Sequence, residues 1–232
     1  MRTFLSKGEL KHLEDILHFF DVFIGSYDVF LDGLWITVKL SVVSLLIAIV
    51  IGLFVALLKI SNIKIFEWIA DAYIWIVRGT PLIVQIFILY YGLTDILLIP
   101  MFWAGAAGLA FHSGAYIAEI IRGAIQSIDK GQREAGLSLG MNKGLTMKRI
   151  ILPQAFRRAV PSLGNQFIIG IKDSSLVSFI GMQDLFGVAS TMGSNTFDYL
   201  PYYMTVAVYY LLIVLVLTFI VNKIEKRLAV SD

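Results

Sequence analysis

Three stretches of this chain run without one Asp, Glu, Lys or Arg: residues 40–58, 96–118 and 199–221, which is 19, 23 and 23 residues. A helix of about 20 apolar residues is what it takes to cross the hydrocarbon core of a bilayer. Backbone groups inside that core must be hydrogen-bonded within the chain, and a helix does this unaided. The composition points the same way. Hydrophobic residues make up 58% of the chain and charged residues 16%, against about 45–50% and about 25% in a soluble domain. Mean hydropathy is +0.80. A soluble globular domain, a disordered chain, a collagen and a coiled coil are all excluded by these values.

Two further stretches are apolar but short. Residues 79–94 carry no charge, and a spanning helix there must start near residue 69, which puts Arg78 at membrane depth. Residues 159–171 become long enough only by accepting Lys172 and Asp173 and continuing to about 182. The expected fold is an all-α integral membrane bundle of five spans, near 34–58, 69–92, 101–121, 159–182 and 199–221. Orientation follows from the excess of Lys and Arg in cytoplasmic loops. Arg122, Lys130, Arg133, Lys143, Lys148, Arg149, Arg157 and Arg158 lie between spans three and four, and Lys223, Lys226 and Arg227 in the tail. Lys59 and Lys64 lie between spans one and two, whereas residues 93–100 and 183–198 have no Lys or Arg. The N-terminus is therefore expected outside. The C-terminal tail 223–232 and the loop 131–153 are expected in the cytoplasm.

Residues 1–33, with six acids and three bases, form an N-terminal segment suited to the outer side. They lack the basic start and continuous apolar core of a cleavable signal. Leu10, Leu13, Ile16, Leu17, Phe20, Phe23 and Ile24 recur at helical spacing. The helix they imply either lies on the outer leaflet or packs against the rim of the bundle. No cysteine is present, so disulfides, thiolate metal sites and cysteine nucleophiles are excluded. His12, His18 and His112 match no metal-ligand spacing, and no cofactor is expected.

The loop 131–153 reads GQREAGLSLGMNKGLTMKRIILP, too polar to span and too long for a turn. A short helix is expected over 134–139, ended by a left-handed Gly140, and a second over about 144–151, stopped by Pro153. Leu137, Leu139, Met141, Leu145 and Met147 leave apolar groups on this elbow. Either the elbow docks another protein or it folds back on its own bundle.

Glu134-Ala135-Gly136, then Gly140, then Ile150, then Leu152-Pro153 resembles the EAA loop of ABC importer permeases. The one departure is Gly136 where that pattern has alanine, an exchange of small residues expected to have little consequence. Arg78-Gly79-Thr80-Pro81-Leu82 with Gln85 and Tyr90-Tyr91-Gly92 resembles polar amino-acid permeases in span two. Tyr116 to Gly123, running on to Gly131-Gln132, and Lys172-Asp173-Ser174-Ser175-Leu176 resemble the same family. The resemblance covers roughly residues 30–225. It implies a half-channel of a bacterial inner-membrane importer, multi-pass, paired with itself or with a sister permease. The loop would sit on a cytoplasmic ATPase subunit, and an extracytoplasmic binding protein would deliver a small amino acid. The chain has no G-x-x-x-x-G-K-[ST] phosphate loop, so ATP chemistry belongs to the partner and the permease is not itself an enzyme. Nothing in the pattern points to nucleic acid.

Ionisable groups at membrane depth cost about 2.5–3.5 kcal/mol on insertion scales and so face a cavity or a partner. Arg78 beside Gly79, Thr80 and Pro81 marks a broken helix. Its guanidinium either grips a substrate carboxylate or pairs with Asp71 or Asp173. Lys172 and Asp173, with Ser174 and Ser175 after them, mark a second bent or unwound helix. One of the two charges faces the pathway, or both form a gate or interhelical ion pair. Gln85, Asn165, Gln166 and Thr80 complete the candidate substrate pathway. Glu119 and Arg122, three residues apart, read as an ordinary helix pair, and His112 as a satisfied polar group. Gly52, Gly105, Gly108, Gly164 and Gly170 are expected where helices approach closely. The alternative reading is a channel or secondary transporter that needs no ATPase. It has the membrane charges in its favour and the elbow against it. An intramembrane enzyme lacks paired catalytic residues.

Overall fold

A computed structural model describes residues 7–61 and 63–228, with side chains for all of these except 7–10 and 12. The side chains of Leu10 and His12, and the ends 1–6 and 229–232 of the terminal segments, fall outside the described residues. Within them the chain is helical, with no strand.

Helix α1 (Lys7–Gly25) leads through Ser26 into α2 (Tyr27–Lys59). The backbone turn is kept at the join: Ser26 N–H donates to the Val22 carbonyl at 3.0 Å, and Ser26 Oγ donates to it at 2.6 Å. The long helix thus begins seven residues before the expected span at 34. Helix α1 packs on the last helix, α10 (Tyr199–Leu228), with Phe23 against Tyr209. His18 Nε2 lies 2.6 Å from Asp198 Oδ2. Leu13, Ile16, Leu17, Phe20 and Ile24 stay exposed on its other side.

The core is the crossing of α2 with α5 (Met101–Gln126). Helix α5 is rich in Ala and Gly. Its buried positions include Ala104, Gly105, Ala106, Gly108, Ala110, Ser113, Gly114, Ala115 and Ala118. Small side chains let neighbouring backbones close in, which is how helices pack where water supplies no driving force. Gly52 meets Ile117, Gly105 meets Val177, Gly108 meets Ile86 and Gly164 meets Val221. Gly170 meets nothing within 4 Å, so the close approach expected there is absent. Residues 96–100 of the uncharged run are not helical, and Pro100 stands at the N-cap of α5.

Among the described residues two helices are by length and composition able to cross a membrane alone, α2 and α10. A third candidate is broken. Helix α3 (Lys64–Arg78) and α4 (Leu82–Phe87), which runs on as a π-turn over Ile88–Gly92, are bent by 102° at the intervening residues. Helix α8 (Leu152–Asp173) tightens into a 3-10 segment, Ser174–Ile180, that ends at Gly181 with φ +97°. The segment 183–198, expected to be a plain link, holds α9 (Leu185–Thr196). Asp184 caps it. Its carboxylate accepts from the Gly187 N–H at 3.1 Å and the Phe186 N–H at 3.4 Å, and the residue is fully buried. The Leu185 N–H donates to Thr37 Oγ1 of α2 at 3.0 Å.

Candidate functional site

The elbow comes first. Helix α6 (Lys130–Ser138) begins earlier than the expected 134 because Asp129 caps it, accepting from the Gly131 N–H at 2.7 Å. It ends at Gly140, φ +78°. The Gly140 N–H donates to the Leu137 carbonyl and the Met141 N–H to the Gly136 carbonyl, at 3.0 and 3.1 Å. These two bonds are the Schellman closure, which needs a residue at ease in the left-handed region. Asn142 then caps α7 (Lys143–Thr146) by accepting from the Leu145 N–H at 2.9 Å.

Pro153 does not stop this second helix. The chain passes through a π-turn, Met147–Ile151, directly into α8, and Pro153 sits in the first turn of α8. Proline has no N–H to donate, and it follows the π-turn, where the regular i→i−4 ladder is already interrupted. The Leu152 N–H reaches back to the Met147 carbonyl, which absorbs the irregularity.

Gly136 is the buried residue of α6. A methyl added to it falls 2.8 Å from Thr146 Cγ2 and 2.9 Å from Ile150 Cδ1. A methyl there requires the Thr146 or Ile150 side chain to shift, so the glycine lets α6 rest closely on α7 and its π-turn. Glu134, Ala135, Leu152 and Pro153 are exposed. Leu137 is 40% and Leu139 82% exposed, while Ile150 is half-buried and Ile151 buried. Gln154 Nε2 ties the elbow back to α8, donating to Ile150 O at 2.9 Å and Gln132 Oε1 at 3.3 Å.

The broken helix is the second part. Thr80 precedes a proline, which pushes it out of helical geometry, and Pro81 takes up φ −64°, ψ 138°. The carbonyls freed at the end of α3 are covered by side chains. Gln85 Nε2 donates to Val77 O at 2.9 Å and lies 3.2 Å from Thr80 O and 2.9 Å from Thr80 Oγ1. Thr80 Oγ1 donates to Ile76 O at 2.8 Å. Gln85 and Thr80 thus hold the break, and Gln85 Oε1 is buried without a partner among the described residues. Arg78 pairs with neither Asp71 nor Asp173. Its guanidinium lies over the Tyr116 ring, 5.0 Å from the centroid. Arg78, Gly79, Trp75, Ile74 and Tyr116 line a cleft of about 360 Å³.

The remaining candidates on α8 are spread around the helix. Asn165 and Lys172 are exposed, Asp173 and Ser175 half-buried, Gln166 and Ser174 buried. Ser174 and Ser175 donate to the carbonyls of Ile171 and Lys172 at 2.8 and 2.7 Å. Among the described residues Lys172 and Asp173 form no ion pair with each other or across helices. His112 is not the satisfied group expected: Nδ1 is buried with no partner among the described residues, and the ring lies against Tyr116 at 5.3 Å.

A third feature escaped the sequence reading. Lys59, the last residue of α2, places Nζ 2.7 Å from Asp71 Oδ1 on α3 and 3.0 Å from Glu119 Oε1 on α5. Arg122 closes on Glu119 at 2.6 Å. Glu119 and Arg122 are thus not an isolated helix pair but half of a four-member cluster. The i, i+3 spacing signalled the pair; only the fold brings Lys59 and Asp71 to it. A cavity of about 610 Å³ separates the cluster from the elbow.

Comparison with known proteins gives consistent relatives. The model of the family described as binding-protein-dependent transport system inner membrane component matches residues 48–230. The arginine transport system permease protein ArtQ of Bacillus subtilis is 42% identical over 204 residues, 87% of this chain and 93% of its own. The glutamine transport system permease protein GlnP of Escherichia coli is 41% identical over 203 residues, 86% of this chain and 93% of its own. Among solved structures, an amino acid ABC transporter with histidines superposes with TM-score 0.84 at 41% identity, over 88% of this chain and 96% of its own. The methionine ABC transporter MetNI in an inward-facing conformation superposes with TM-score 0.77 at 21% identity, over 89% and 99%, a likeness of fold.

Proposed function

This chain belongs to the family of binding-protein-dependent transport inner membrane components, and on that footing we propose that it is the permease subunit of an ABC importer for an amino acid. The permeases named for arginine and glutamine, each about two-fifths identical over most of the chain, support the substrate class. Two copies, or this chain and a sister, enclose the pathway. Each crosses the bacterial plasma membrane five times, the bent pair α3 and α4 counting as one span. The N-terminus lies outside, with α1 resting its exposed Leu13, Ile16, Leu17, Phe20 and Ile24 on the outer leaflet. The basic elbow and the tail lie in the cytoplasm.

The observation that carries this reading is the elbow itself. It is a rigid, doubly capped helical hairpin that holds Glu134, Leu137 and Leu139 out in the open. Apolar groups presented on so fixed a support fit a protein partner, and the partner is the ATPase. Closure of two ATPase subunits draws the elbows together and rocks the bundles as rigid bodies. Deeper in, the Arg78 guanidinium, which pairs with no carboxylate among the described residues, takes the α-carboxylate of the substrate. An extracytoplasmic binding protein delivers that substrate.

The test is amino-acid uptake and ATP hydrolysis by the reconstituted complex. Glu134→Lys or Gly140→Asp is expected to abolish uptake and stimulated hydrolysis while the chain still inserts. Wild-type coupling in either variant sinks the docking claim, and uptake without ATP turns the reading into a channel or secondary transporter.

A further inference from the structure

The elbow and the break at Arg78 lie on different elements, and the ion cluster sits between them. Glu119 is held from its own helix by Arg122, which donates through Nε at 3.1 and 3.2 Å and Nη2 at 2.6 Å. That clamp fixes the carboxylate on α5. Lys59 then bridges it to Asp71 on α3, and the Lys59 and Glu119 side chains are each 23% exposed, partly withdrawn from screening by water. Asp71 and Arg78 are seven residues apart on α3, two turns, and so share one side of it. Arg78 touches Tyr116, three residues before Glu119 on α5. Helix α3 is joined to α5 at its Asp71 end by charge through Lys59, at mid-length by Tyr73 Oη, which donates to the Phe111 carbonyl at 2.6 Å, and at its far end by cation–π contact at Arg78. Across the cavity from the cluster stand Arg133, Leu137 and Lys143 of the elbow.

We propose that Lys59 is a positioning residue for transport: by tying α3 to α5 beside the elbow, it passes movement of the elbow on to the Arg78 end of α3. Without the tie, elbow movement is taken up by slippage of α3, and hydrolysis no longer turns the pathway. The inference rests on the permease reading of the elbow given above. It is distinct from a purely structural ion pair, whose loss lowers the amount of folded complex and leaves the ratio of transport to hydrolysis untouched.

The experiment uses the full complex with its ATPase and binding protein in proteoliposomes. Uptake of labelled arginine and of labelled glutamine is measured alongside phosphate release. Lys59→Met keeps the apolar stem and removes the charge. It is expected to lower amino acid moved per ATP hydrolysed by about five-fold or more, the scale of a 1 kcal/mol coupling energy, with hydrolysis retained. Lys59→Arg keeps the ratio. Lys59→Asp, which sets a carboxylate against both Asp71 and Glu119, loses it. If Lys59→Met yields no assembled complex, Asp71→Asn cuts the same tie from the other side and must show the same fall. A wild-type ratio in the neutralised variant, or a proportional loss of uptake and hydrolysis, overturns the proposal. If the wild-type complex itself takes up neither amino acid in response to ATP, the permease reading fails instead.

Discussion

Gly140, Gly136 and Asp184 each do a job that depends on one atom or its absence. Gly140 occupies the left-handed region, where a Cβ costs about 1–2 kcal/mol. Gly140→Ala is expected to loosen the Schellman closure and speed amide exchange at Gly140 and Met141 by about ten-fold; unchanged exchange would show that the cap is not what fixes the elbow. Asp184 holds the first turn of α9 from a fully buried position. Asp184→Ala should cost about 1–2 kcal/mol, seen as a lower unfolding midpoint in detergent, with Asp184→Asn retaining most of it. Gly140 was legible because a glycine between two short apolar helices has few other uses. Asp184 was not. Its charge placed it in a solvated link, and nothing local tells that Thr37 of α2 and Tyr210 of α10 close around it. The crowding of Gly136 by Thr146 and Ile150 was not legible either, because it exists only once α6 and α7 have folded together.

At the scale of elements, the break between α3 and α4 was readable from Gly79-Thr80-Pro81, since a proline and its restricted predecessor interrupt any helix. What covers the freed carbonyls was not, because Gln85 reaches back eight residues to Val77 only across the bend. Gln85→Leu leaves those carbonyls bare, a loss of about 1–3 kcal/mol. Spin labels on Ile65→Cys and Ile88→Cys, in a chain that has no cysteine of its own, should then report a broadened distance distribution. A distribution as narrow as in the parent pair would show that Pro81 alone sets the 102° bend. The start of α8 was missed because Pro153 reads equally as a stop and as a first-turn residue. The π-turn before it decides the matter, and short irregular turns leave no periodic trace. Helix α5 shows the converse. Its Ala and Gly content makes it less apolar than α2, because it packs on protein rather than on lipid.

For the whole molecule, the motifs made the family legible, and the charge bias of the loops carries the proposed orientation. The basic residues collect at the elbow and the tail, and the proposed orientation follows. Leu139→Cys should resist a membrane-impermeant maleimide in intact cells and react after permeabilisation, while Thr196→Cys should react in both. The reverse pattern would invert the molecule. On the proposed function, the elbow, the ion cluster and the break form one route from a cytoplasmic ATPase to a pathway at mid-membrane. The most direct test of that account is purification of the chain from its native membrane in mild detergent, with mass spectrometry of what accompanies it. An ATPase subunit should copurify at one to one and be lost in Gly140→Asp. A chain that purifies alone, and still moves amino acids in liposomes without ATP, would contradict it.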